Sequence, residues 1–532
     1  MTGRLGLSAR LGIIAAVLAV ETLLASYLIQ ATPLDAISGP AEVVRHVQHW
    51  LFRFIIAYAV SVGMLVYLRG PAHTAKLAAG FDAPVRVSWW IAHALLLVPF
   101  GLLSAGLYAG AWSLHFAVIA VAWHACAIGA ALALFAAMAP LSVWIGAVRQ
   151  AGGLFLFAIV PAAAAVAAIK GSQMLWGPAA ELTFRLVHIL LRPLLPALRS
   201  DLSTLTLGTD RFAVTIAEVC SGLEGVGLML AFCTAWLWFF RREYYFPRAL
   251  VIVPLGVLLV FLLNAVRIAA LVLIGDAGYG RVAVVGFHSQ AGWIGFNLAA
   301  FVVAVLARSN PWVSRIARQP RAVAENPTAA YLMPLLIILA AGMITHALSA
   351  GFEFLYPLRL AAALAALWLY RRSYAGLDWG CSWRGPAVGA ALFCVWAGCA
   401  SFLTTAAPEP YALAAQPAPL RILWISCRLL AAVFTVPVAE ELAYRGYLLR
   451  RLVNPRFESV GFAAARWPAL VLSALAFGIM HGGLWLPGIL AGLAYGALAI
   501  NTGKLGEAVA AHGTTNALLG AYVLLFNQWQ LW

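Results

Sequence analysis

Apolar runs of about 18 residues or more recur along almost the whole of this chain, each long enough to cross roughly 30 Å of hydrocarbon. Lipid offers no water to backbone N–H and C=O groups, so runs of this kind must fold as helices that satisfy those groups internally. The composition agrees: 64% of the 532 residues are hydrophobic and only 10% are charged, with a mean hydropathy of +0.92, far beyond a soluble domain. The pattern predicts an all-α polytopic membrane protein of about 15 transmembrane helices, embedded in the lipid bilayer. The net charge of +15 implies no nucleic-acid partner, because an excess of Lys and Arg in cytoplasmic loops gives the same balance. The seven cysteines are scattered, mostly within apolar runs, and no pair has metal-ligand or disulfide-framework spacing.

Arg4 and Arg10 precede a first run over 11–29, read as a retained helix rather than a cleaved signal. Further spans are predicted near 50–68, 88–110, 113–138 and 151–171, which puts Arg69, Lys76, Arg86 and Arg149 on one side with the N-terminus. The positive-inside rule makes that side cytoplasmic. Residues 174–198 read as an interfacial helix on the opposite surface. At 203–217 the period changes to two: Ser203, Leu205 and Leu207, then Phe212, Val214 and Ile216, alternate around Gly208-Thr209-Asp210. That is a hairpin signal, and a hairpin belongs in the outer aqueous space. Spans near 220–240, 249–274 and from 288 onward follow, with Arg241, Arg242 and Arg248 inside.

From Arg308 to Pro327, arginines and prolines replace apolar residues, which marks a cytoplasmic linker. The expected domains are 1–308, a linker at 309–327, and 328–532. Spans in the last domain fall near 329–350, 355–370, 386–405, 421–440, 466–483, 484–500 and 506–527, with Pro468 and Pro487 suggesting broken or short helices.

Two constellations carry chemistry. The first is Cys220 at the outer end of one span, Arg267 about 10 Å below the outer end of the next, and His288 opening the one after. A thiolate is a strong nucleophile for acyl transfer, yet a free thiol is mostly protonated at neutral pH. A histidine can take the proton, and an arginine can stabilise the thiolate or the oxyanion. Membrane cysteines usually serve as packing, the reading given to Cys126, Cys233, Cys394 and Cys399, and lone histidines such as His93, His115, His124 and His346 read as interfacial.

The second constellation is Glu440-Glu441 with Arg445, Phe477 with His481, and His512 with Asn516. Glu441 and Arg445 have helical ion-pair spacing. The bland alternative is an ion-paired helix contact beside packed histidines. The chemical readings are a Glu-activated water with His and Asn at the oxyanion, or a metal held by Glu and His. No HExxH occurs, which weakens the zinc version.

Val219-Cys220-Ser221-Gly222-Leu223, Asn264-Ala265-Val266-Arg267 and His288 resemble the Cys, Arg and His motifs of the exosortase/archaeosortase family over roughly residues 90–308. The resemblance implies a bacterial inner-membrane cysteine transpeptidase that cuts C-terminal sorting signals (a short motif, a hydrophobic helix and a basic tail) from exported proteins. Cys220 would be the nucleophile, Arg267 the oxyanion or thiolate partner and His288 the general base. The second set resembles the EExxxR, FxxxH and HxxxN motifs of the CAAX prenyl protease/bacteriocin-processing family over about 380–527. It implies a metal-independent intramembrane glutamate protease without a cofactor. Glu440 would activate water, His481 would assist, His512 and Asn516 would bind the oxyanion, and Glu441 and Arg445 would be structural partners.

Together they resemble the exosortase E/protease fusion, whose substrates carry PEP- or VPEID-type signals. The competing classes are a transporter with Arg267, Glu440 and His481 along a solute path, for which no inverted repeat is found, and a C-terminal zinc protease.

Overall fold

A computed structural model of the chain describes Val17, Glu21 and residues 53–55, 57–66, 69, 81, 87–108, 116–217, 220–315, 326–403 and 409–532. The expected first span at 11–29, the loop cations Lys76 and Arg86, and the centre of the 309–327 linker with Arg318 and Arg321 lie almost wholly outside these residues. The chain forms two compact units, Met1–Met174 and Leu175–Trp532.

In the first unit, α1 (Val87–Tyr108) pairs with α2 (Phe116–Met138). His93 is buried between them, its Nδ1 donating to the Ala130 carbonyl at 2.8 Å and its Nε2 lying 2.5 Å from Glu21. Two ring nitrogens that both need partners explain why this histidine is inside rather than at the interface. Helix α3 (Leu141–Ala151) meets the following helix at 76°, and α4 (Ile159–Met174) ends the unit.

The second unit opens with α5 (Trp176–Leu191), which lays Phe184, Val187 and Leu191 against α7. The predicted hairpin is present and has gained a strand: β1 (Arg199–Asp201), β2 (Thr206–Gly208) and β3 (Ala213–Thr215) form an antiparallel sheet in that order, with Leu207 opposite Val214. Helices α6 (Leu223–Phe239), α7 (Ile252–Ile274) and α8 (His288–Ser309) then pack through Met229, Cys233, Val260 and Val303.

Helices α9 (Pro327–Ala347), α10 (Tyr356–Tyr370) and α11 (Arg384–Leu403) follow. The expected span at 421–440 is part of a longer helical run, α12 (Ala418–Leu449). The last three are α13 (Trp467–Ile479), α14 (Trp485–Thr502) and α15 (Leu505–Phe526). Pro468 and Pro487 stand in the first turns of α13 and α14, where a missing N–H costs nothing, so they start helices rather than break them.

The protein is thus a multi-pass helical membrane protein. Among the described residues, eight helices are long and apolar enough to cross a bilayer, or nine if the bent pair counts as one span. The figure falls short of the expected count partly because α6, α10 and α13 hold only 17, 15 and 13 residues.

Candidate active sites

The first centre is built where the sheet meets the start of α6 and the end of α7. Thr209 Oγ1 donates to Asp276 at 2.5 Å, just past the end of α7. The chain leaves β3 and reaches Cys220, which is partly buried and packs among residues of α5 and α7. Its backbone is held tightly: Asn264 Nδ2 donates to the Cys220 carbonyl at 3.0 Å, and Thr183 Oγ1 donates to the Ser221 carbonyl at 2.9 Å. Gly222 makes this approach possible. Its φ is +88°, and a Cβ there would stand 2.9 Å from Asn264 Nδ2, so a side chain would be strained and would push the asparagine away.

Arg267 lies one turn beyond Asn264 on α7, and both line a cavity of about 180 Å³ with Gly222, Glu224 and Ser289. Gly292 on α8 would place a Cβ 3.0 Å from Arg267 Nη1. Arg267 Nε is buried and has no hydrogen-bond partner among the described residues. A desolvated guanidinium N–H without a partner is costly, and it borders space that an oxyanion could fill. His288 begins α8 beside Ser289 and is exposed. Asn264 and Arg267 therefore share one cavity on α7, with His288 on the adjoining helix, while Cys220 is tied to Asn264 through its backbone carbonyl and neither Cys220 nor His288 lines that cavity. Among the described residues, no hydrogen bond joins the thiol, the guanidinium and the imidazole. Asn264 and Thr183 are additions to the residues expected from sequence. Asn264 stands in the same quoted stretch as Arg267, but nothing in the sequence tells that its amide holds the Cys220 carbonyl.

The second centre is organised by Glu441. It is fully buried, and its Oε1 receives Arg445 Nη1 at 2.8 Å and His512 Nδ1 at 3.0 Å. Arg445 is itself buried; it donates from Nη2 to the Gly492 carbonyl at 2.9 Å and stacks over Phe477 at 4.5 Å. A carboxylate only accepts, so the bond to Glu441 puts a proton of His512 on Nδ1 and turns Nε2 toward the other glutamate. That Nε2 lies 3.8 Å from Glu440 Oε2. Glu440 Oε2 is buried without a hydrogen-bond partner among the described residues.

The remaining side chains close around this pair. His481 Nδ1 donates to the Phe477 carbonyl at 2.9 Å, and its ring meets Trp396 at 5.3 Å. Phe477 touches both imidazoles, at 4.7 Å to His481 and 5.6 Å to His512. Tyr495 stacks on His512 at 4.9 Å and donates to Thr515 at 2.8 Å. Asn516 Nδ2 donates to the Ala432 carbonyl at 2.8 Å, leaving its second N–H for another acceptor. Glu440, Glu441, Arg445, Phe477, His481 and His512 therefore meet, while Asn516, one turn beyond His512, contacts the Ala432 carbonyl; Tyr495 was missed, since a tyrosine in an apolar run gives no signal. Among the described residues, no group of three His, Cys, Asp or Glu side chains is placed to hold a metal ion.

Helix geometry changes at both centres. Wide π-helical turns occupy Ala431–Thr435 and Leu442–Leu449, either side of the Glu440-Glu441 pair, and Gly275–Tyr279 and Val282–Phe287, just before His288. Such turns shift side-chain register and release backbone groups, and they recur at functional sites.

Comparison with family models gives two matches. Residues 45–305 match the transmembrane exosortase model, and residues 422–518 match the Type II CAAX prenyl endopeptidase Rce1-like model. No curated protein and no solved structure gives a significant match to the chain.

Proposed function

Because this chain joins a transmembrane exosortase domain to an Rce1-like CAAX endopeptidase domain, making it a membrane protein of the peptidase and transpeptidase class, we propose that it is a cysteine transpeptidase fused to a glutamate protease. The first half, 1–308, cuts C-terminal sorting signals of the PEP or VPEID type from exported proteins. Cys220 attacks the scissile carbonyl, His288 takes the thiol proton, and Arg267 stabilises the oxyanion. The second half, 328–532, follows the 309–327 linker and hydrolyses peptide bonds within the membrane. Glu440 takes a proton from water, His481 assists, and Asn516 with His512 faces the developing oxyanion. Glu441 and Arg445 hold His512 in place. The protein works in the bacterial inner membrane with its N-terminus in the cytoplasm.

The observation that most supports this reading is the Arg445–Glu441–His512 chain beside a buried, unpartnered Glu440 oxygen. Two ion-paired residues that only packed helices together would not require a second carboxylate, desolvated and unsatisfied, 3.8 Å from the oriented imidazole. The test is co-expression with a substrate ending in a sorting signal, following its processing by mass spectrometry. Wild type should remove the signal, Cys220→Ala should leave it intact, and Cys233→Ala should behave as wild type. Unchanged removal in Cys220→Ala would refute the transpeptidase assignment.

A further inference from the structure

The helices that carry the two centres also share a cavity of about 430 Å³. Its wall runs from Gln290 on α8 through His346 on α9, Glu353 in the loop after it and Arg359 on α10, to Thr435 and Val436 on α12. Gln290 is two residues beyond His288, and Val436 is four residues before Glu440. The end of α9 and the loop after it press against the turn that precedes His288. A Cβ on Gly286 would stand 2.5 Å from the His346 carbonyl oxygen and 2.3 Å from that of Ser349, so only glycine permits the contact.

The polar wall is an assembled cluster that neither centre uses. Glu353 Oε1 lies 2.8 Å from His346 Nδ1, and the other carboxylate oxygen pairs with Arg359. The proton of His346 is therefore on Nδ1, and Nε2 is left as an acceptor. Arg359 also donates from Nε to Thr345 at 2.8 Å and from Nη2 to the Gly342 carbonyl at 3.2 Å. The cluster offers hydrogen-bond donors and acceptors to the cavity, and Arg428, stacked over Tyr356 at 4.7 Å, stands behind it. The rest of the lining is apolar, with Leu339 and Met343 on α9.

A surface that sets hydrogen-bond donors and acceptors beside apolar side chains suits an unwound peptide. A membrane helix cannot be cut while its carbonyls are closed in helical hydrogen bonds, and opening it frees N–H and C=O groups that lipid cannot satisfy. The Gln290 amide, His346 Nε2 and the remaining N–H groups of Arg359 can satisfy them, while the apolar lining receives the side chains. We infer that this cavity receives the unwound end of the apolar helix released by the first cut and delivers it to Glu440, so that the two centres act in sequence on one substrate. The inference rests on the protease reading of both centres.

The chemistry balances. Thiolate attack by Cys220 forms the S–C bond of a thioester and breaks the scissile C–N bond, and the thiol proton leaves on the new amine. The released piece is an apolar helix that begins with that amine. At the second centre, water adds across one of its peptide bonds, giving a carboxylate and a second amine.

The test uses the full-length protein in proteoliposomes and a model substrate protein ending in a sorting motif, an apolar helix and a basic tail. Release of the helix by wild type and not by Cys220→Ala, and its breakdown by wild type and not by Glu440→Gln, examine the underlying reading separately. Gln290→Leu removes polar contacts from the cavity, and Leu339→Trp fills it. Both variants should release the helix at the wild-type rate yet accumulate it intact by about tenfold or more. Breakdown at the wild-type rate in both would overturn the inference. A second measurement does not depend on how these variants fold. In Glu440→Gln, a substrate with a photo-cross-linking residue just after the scissile bond should become attached to the α9 segment holding Leu339 and Met343. Attachment confined to other segments would overturn it as well.

Discussion

Glu440 and Glu441 are neighbours in sequence and opposites in role, and the contrast gives the sharpest test at the level of single residues. Glu441 is fully buried with a cation on one side and an imidazole on the other. Replacing it by leucine strands the Arg445 charge in the interior, a change that costs about 3–5 kcal/mol. Glu441→Leu should therefore lower the unfolding temperature in detergent and lose activity as a consequence. Glu440 faces His512 only at 3.8 Å and, among the described residues, pairs with no arginine, so Glu440→Gln should unfold like wild type while peptide cleavage falls by about a hundredfold or more, the size of a lost general base. A large loss of stability in Glu440→Gln with cleavage intact would reverse the two assignments. The i, i+4 spacing made the Glu441–Arg445 pair legible in the sequence. Which glutamate holds His512 was not, because that depends on how α12 crosses α15, and crossing geometry leaves no mark on either helix alone. The pairing of His346 with Glu353 was not legible for a related reason: Glu353 stands in a loop, outside any periodic pattern.

At the level of elements, buried helix ends and turns show how the sequence fixes backbone that the membrane cannot solvate. The carboxylate of Glu507, in the first turn of α15, accepts from the backbone N–H groups of Ser382 and Gly385 at 2.9 Å each, and so caps the start of α11. Glu507 is buried, so Glu507→Leu leaves two N–H groups without partners and should cost about 2–5 kcal/mol. A cap made by a residue more than a hundred positions away in the chain cannot be seen from sequence. The hairpin was visible because its period of two interrupts helical surroundings. Its third strand was not, since three exposed residues, Arg199–Asp201, carry no alternation. After that strand, Asp201 accepts from the Ser203 hydroxyl and amide and from the Thr204 hydroxyl. The Ser203 hydroxyl and amide, then the Thr204 hydroxyl, hold its carboxyl below the usual value of 3.8. A depressed pKa means that the turn is stabilised above the unfolded-state value and loses that support as pH falls through the lower folded-state value. Exchange of the Ser203 amide hydrogen should therefore gain opening only below about pH 4; protection unchanged down to strongly acidic pH would show that the carboxylate does not hold the turn.

The whole molecule poses the question of orientation. In the second unit, one set of helix ends carries seven arginines: Arg241, Arg242 and Arg248 lie between α6 and α7, Arg308 ends α8 and Arg315 follows it, and Arg371 and Arg372 follow α10, against Arg192, Arg199, Arg211 and Arg281 at the end with the sheet. The ends of α6, α7 and α8 touch one another. Tyr244 pairs with Ser314, Arg315 N donates to the Glu243 carbonyl at 2.7 Å, and Arg308 bridges to Glu243 at 2.7 Å. The other set of ends carries the sheet, Cys220, and the contact of Gly286 with the end of α9. Two groups of contacts thus sort the same helices into the same two ends, and the positive-inside rule predicts that the end with more arginines lies in the cytoplasm. Cys220 then faces the outer compartment, where an exported substrate would meet it. Cysteine labelling in intact cells tests this, provided the chosen sites are exposed. Ser314 is buried and would stay unlabelled on either side, whereas Asp210 and Arg315 are exposed. With the native cysteines replaced by alanine, Asp210→Cys should react with a membrane-impermeant maleimide in intact cells. Arg315→Cys should react only after the membrane is opened. The reverse pattern would place the sheet and the cysteine in the cytoplasm and leave the first centre on the wrong side for an exported substrate.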